Sequence, residues 1–109
     1  MIPGKQKIKL EQLISRSAEI KDFSDEHLTA LGGILKEYSV IIRRLHDKEP
    51  NIFSHFVKHD LKEIKRHGQT VHEIEDPSVK KQNFLSYKQA IDHSIESAIV
   101  YIKDYVSQQ

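Results

Sequence analysis

FSHFVKHDLKEIKRHGQTVHEI, the stretch from Phe53 to Ile74, carries Phe53, Val57, Asp60, Ile64, His67, Val71 and Ile74 at alternating spacings of four and three. That rhythm makes a stripe along one side of a helix, the pattern of a seam packed against other helices. Asp60 and His67 are its polar misfits, standing where Leu or Ile is expected. A polar group buried without a partner costs about 1–3 kcal/mol, so both residues need partners, water or another molecule.

Outward from this stretch the same period continues. Before it, Leu28, Leu31, Leu35, Tyr38, Ile42 and Leu45 form an unbroken repeat, widened by Ile34 and Ile41, which predicts a helix over about residues 25–47. Ser24 is its N-cap candidate, Phe23 and Leu28 are placed for a hydrophobic staple, and Asp25 and Glu26 suit the helix dipole. Gly32 and Gly33 fall mid-helix and are read as tolerated on the side away from the seam. Leu10, Leu13, Ile14, Ser17 and Ile20 share a face of a shorter first helix, over about 7–21. Pro50 breaks the chain and Asn51 can cap the third helix, which the seam carries past Gly68 to about Glu75. Asp76-Pro77 restarts the chain as N-cap and first helical residue. The last helix then runs to about Ser107, with Phe84, Tyr87, Ile91, Ile95, Ala98, Ile102 and Tyr105 facing inward. Periods near 3.6, short connections and no strand-like alternation predict an all-α fold, an antiparallel up-down four-helix bundle with a shorter first helix.

The 109 residues form a single domain, 1–109, with 38% hydrophobic and 30% charged residues. A chain of this size buries about 60–65% of its unfolded surface. No apolar run approaches the roughly 20 residues of a membrane span, and no secretory h-region opens the chain. Cysteine is absent, which excludes disulfides, thiolate metal sites and cysteine nucleophiles. A cytoplasmic protein is the expectation. Net charge is +1 with the seven histidines neutral, so no global field draws the chain to nucleic acid or membranes.

Four constellations could carry chemistry. The first is a buried polar network. Antiparallel pairing predicts Asp60 against Lys88 and His67 against Tyr87, with Tyr38 near both, setting helix register. The second is the outer side of the third helix, where Lys58, Lys62, Lys65 and Arg66 form a basic face for an acidic partner. It lacks the aromatic and base-reading residues that nucleic-acid binding uses. The third is the acidic end expected around Asp22, Asp25, Glu26, Glu73, Glu75 and Asp76 with His27 and His72, a place for a hard divalent cation.

The fourth is His55 and His59, an HxxxH pair on one side of a helix. On a regular wheel they sit among the four cations of the outer face, and no metal is expected there. Hemerythrins carry such a pair, but His46 is followed four residues later by Pro50 and His93 five later by Ala98, so their remaining motifs are missing. The string His59-Asp60-Leu61-Lys62 resembles the His-x-Leu-Lys core of histidine phosphotransfer domains and the corresponding step of kinase dimerisation helices. The resemblance implies His59 as phospho-acceptor and Lys62 as its charge-offsetting helper, with Glu63 where the phosphotransfer domains typically carry glycine. No orienting third group, Gly-rich phosphate loop or serine nucleophile motif supports catalysis, and no cofactor is implied. The expectation is a non-catalytic protein-interaction or regulatory module, homodimeric or bound to another protein, with phosphotransfer by His59 as the alternative and a metal-binding bundle third.

Overall fold

The computed structural model describes residues 2–107, and among them the regular structure is entirely helical. Helix α1 spans Ile2–Ala18 and α2 spans Asp25–Lys48. A third rod is built from α3 (Pro50–His55), a single π-helical turn (Phe56–Asp60) and α4 (Leu61–Glu73). Helix α5 spans Pro77–Ser107; the side chain of Tyr105, expected to face inward, lies outside the described residues. The four rods form an elongated body of 50 × 25 × 17 Å. None of the described helices is long and apolar enough to cross a membrane.

Local chemistry sets most boundaries. The Ser24 hydroxyl accepts the His27 amide at 3.0 Å, capping α2. Asp76 Oδ1 accepts the Ser78 and Val79 amides at 2.9 and 3.4 Å at the start of α5. Pro50 opens α3, where its missing N–H costs nothing. Phe23 packs against the core and meets the ring of Phe84 edge-on at 5.4 Å, with the Lys80 ammonium 5.7 Å from its centroid. The first helix begins earlier than the sequence predicts and ends at Ala18; Ile20 is buried beyond its end.

The third rod departs from a regular helix, and its apolar residues explain why. Phe53, Phe56, Leu61, Ile64 and Val71 are buried together with Gly68. Phe56 and Leu61 are five residues apart, which a regular α-helix sets about 140° apart around its axis. The π turn closes an i→i+5 bond, Leu61 N–H to Phe56 C=O, and brings both side chains into the core. Their burial contributes about 1.5–3 kcal/mol each, which supports the rare winding. The seam is therefore corrected: Leu61 and Gly68 lie in it, while Val57, Asp60, His67 and Ile74 are only half-buried beside it.

Inside, α5 serves as the common wall, packed against both α1 and α4, while α2 packs on α1 and α3. Leu10, Leu31, Tyr38, Ile42, Phe84, Ile91, Ile95 and Ile102 are fully enclosed. The flank between α1 and α2 is less closed. There a groove of about 820 Å³ is floored by Leu13, Val40 and Ile41 and edged by Lys9, Arg16, Lys36 and Arg44.

Candidate functional site

The π turn reorganises the outer side of the third rod. His55 and Asp60, about 140° apart on a regular helix, become neighbours under i→i+5 winding, and His59 lies beside both. His55 Nε2 and His59 Nδ1 each stand 3.2 Å from the same atom, Asp60 Oδ1. The two imidazoles stack nearly parallel, centroids 5.0 Å apart and planes 12° apart, and His55 also meets the edge of Phe56 at 5.9 Å. The histidine side chains are 61% and 64% exposed, whereas that of Asp60 is 16% exposed.

The other Asp60 oxygen turns inward. Ser94 Oγ donates to Asp60 Oδ2 at 2.7 Å, and the Tyr38 hydroxyl lies 2.5 Å from Ser94 Oγ. A serine hydroxyl has one proton. With Ser94 donating to the carboxylate, Tyr38 must be the donor to Ser94, so the bonds run Tyr38→Ser94→Asp60. Tyr38 is wholly buried. Its burial holds the phenol well above its ordinary range, the Ser94 bond opposes this, and the Asp60 charge adds to it.

This network differs from the expected pairs. Lys88 does not reach Asp60; it donates to Asp92 Oδ2 at 2.8 Å on its own helix. Asp92 Oδ1 in turn accepts from Ser17 Oγ at 2.5 Å, tying α5 to α1. His67 makes no hydrogen bond to Tyr87. The Tyr87 ring instead lies over Gly68, where an added Cβ would stand 3.1 Å from Cε1, and burial raises the Tyr87 phenol. The missed partners were Ser94, Ser17 and Asp92. Ser94 is followed at once by apolar Ile95, and only its buried position on α5 marks it.

Around the cluster, Lys58, Lys62, Lys65 and Arg66 are exposed. Arg66 Nη2 binds Glu63 Oε2 at 2.7 Å, and that bond holds the Glu63 carboxyl below its usual range. The acidic end forms no comparable centre. His27 Nδ1 lies 2.6 Å from the Asp22 carbonyl oxygen and closes the loop before α2. Among the described residues, the group of three or more ligating side chains with converging atoms is His55, His59 and Asp60, whose ligand atoms lie within 4.8 Å of one another. The arrangement can accept a cation, orient an imidazole, and connect whatever engages it to the core.

No family model, curated protein or solved structure matches this chain.

Proposed function

We propose that this protein is a small, non-catalytic interaction or regulatory module, an antiparallel up-down four-helix bundle that works through the outer side of its third rod. The up-down arrangement is supported by the short connections at residues 19–24, 49 and 74–76, which favour antiparallel neighbours. A cytoplasmic location belongs to the same reading and rests on the cysteine-free composition.

One observation carries the functional part. Asp60 gives one oxygen to two exposed imidazoles and the other to a hydroxyl pair inside the bundle. An event at the surface, whether a partner docking or a charge arriving, thus has a hydrogen-bonded route to Tyr38. Lys58, Lys62, Lys65 and Arg66 flank that point and suit an acidic partner.

The test is capture from native lysate by the purified chain, beside a Lys58/Lys62/Lys65→Glu variant. A partner held by the wild type and lost from the variant supports this surface. A partner retained by both moves the contact to the α1–α2 groove, where a second copy of the chain is the simplest occupant and solution mass the readout. Capture of nothing by either, with a monomeric mass at all concentrations, rejects the module reading.

A second reading is phosphotransfer, with His59 as acceptor and Lys62 as helper. It is favoured by the Asp60 carboxylate, which orients the His59 ring through Nδ1. Arg66 also partly offsets the Glu63 charge that would otherwise repel a phosphoryl group. Acid-labile phosphate appearing on the wild type with a phosphodonor, but not on His59→Gln, supports it.

A further inference from the structure

We propose that His55 Nε2, His59 Nδ1 and Asp60 Oδ1 are the ligands of a divalent transition-metal ion of the zinc class. The proposal deepens the reading above by naming a ligand for the same surface. It rests on that reading only for its consequence, that the ion governs partner binding.

Donor chemistry comes first. Two imidazoles and one carboxylate suit borderline divalent ions and are a recurrent set at sites that keep open coordination positions. Distance comes second. Ligand atoms at about 2.0–2.2 Å from a tetrahedral zinc ion stand about 3.3 Å from one another. Both nitrogens are 3.2 Å from Asp60 Oδ1, which already matches two edges of that polyhedron. The three ligand atoms fall within 4.8 Å of one another, and the two rings that span the remaining edge are exposed.

The convergence of two imidazole nitrogens on one carboxylate oxygen, each at 3.2 Å, gathers three ligand atoms at the spacing of ligands that share an ion. Further support lies behind the site. Asp60 Oδ2 is fixed by Ser94, itself bonded to Tyr38, the outer-shell anchoring that orients metal-binding carboxylates. All three donors come from residues 55–60, so the π turn sets their spacing and no long loop must close. Exposed Lys58 and Lys62 oppose a cation, but through solvent and salt that screen them.

Calorimetric titration of zinc chloride into the full, metal-stripped chain should give one equivalent bound. His55→Gln and His59→Gln should each weaken binding at least about tenfold, and Ser94→Ala, which touches no metal, by about ten- to a hundredfold. No binding by the wild type, or equal binding by the His55→Gln/His59→Gln double variant, overturns the site. Should the double variant fail to fold, zinc-induced NMR shifts in the wild type decide. Shifts at the His55 and His59 rings support the site, and shifts confined to other histidines overturn it. Intact zinc binding with no protein partner sinks the module reading and leaves this one standing.

Discussion

Tyr38 of α2 and Ser94 of α5 meet oxygen to oxygen at 2.5 Å, and Ser94 passes the bond to Asp60 of the third rod. Three rods are thereby joined by two hydrogen bonds. The chain of donors gives the two hydroxyls unequal weight. Tyr38→Phe leaves Ser94 still donating and removes only one acceptor's partner, so the expected loss is about 1 kcal/mol. Ser94→Ala strands a buried phenol donor and strips a carboxylate oxygen together, for about 2–3 kcal/mol. Urea denaturation of the two variants should rank them in that order; equal losses would show that the bonds do not run in this direction.

The Tyr38 phenol also fixes how the fold responds to alkali. Burial raises it well above its ordinary value of 10.0, against the pull of the Ser94 bond and with help from the Asp60 charge. The folded chain thus favours the neutral phenol, and the unfolded chain ionises first. Its contribution is fully present below about pH 10 and is lost as pH rises from there toward the folded value. Tyr87, also raised by burial, acts in the same sense. Thermal melts should fall steeply above about pH 10, and Tyr38→Phe should flatten that fall despite being less stable at neutral pH.

How much of this was legible in the sequence depends on the element. Ser24, Pro50 and Asp76-Pro77 act within one turn of themselves, so their caps and breaks were readable locally. The third rod's line of burial was not, because a wheel with uniform rotation cannot represent a π turn. The cue was present in Phe53, Phe56, Leu61 and Ile64, whose spacing of three, five and three suits one widened turn better than the four-three series through Asp60. That single change moved Asp60 beside His55, a meeting that uniform winding forbids. Lys88 was misassigned for a different reason. Asp92, one turn along its own helix, is a nearer and partly exposed partner.

Asp92 gathers Ser17 from α1 and Lys88 from α5. Ser17 is wholly buried, so Asp92→Ala leaves its hydroxyl without an acceptor and Lys88 without a counter-charge. A loss of about 2 kcal/mol is expected. Lys88→Met should cost about 1 kcal/mol or less, because a partly exposed ion pair contributes little. The comparison is read by chemical denaturation. A Lys88→Met loss equal to that of Asp92→Ala would place the strength in the ion pair, contrary to this account.

The helical glycines should respond to alanine with opposite signs. At Gly32 and Gly33 an added Cβ meets nothing within 4 Å, so each substitution should gain helix propensity alone, about 1 kcal/mol of added stability. At Gly68 the same methyl would stand 3.1 Å from Cε1 and 3.2 Å from Cζ of Tyr87. Those atoms belong to a rigid ring buried on α5, so the ring cannot step aside as a flexible chain end would. Overpacking of this kind costs about 1–3 kcal/mol and outweighs the propensity gain, for a net loss of about 1 kcal/mol. Thermal melts of the three single variants make the comparison. A stabilised Gly68→Ala would mean that Tyr87 can shift, and that Gly68 is not needed for α4 and α5 to approach.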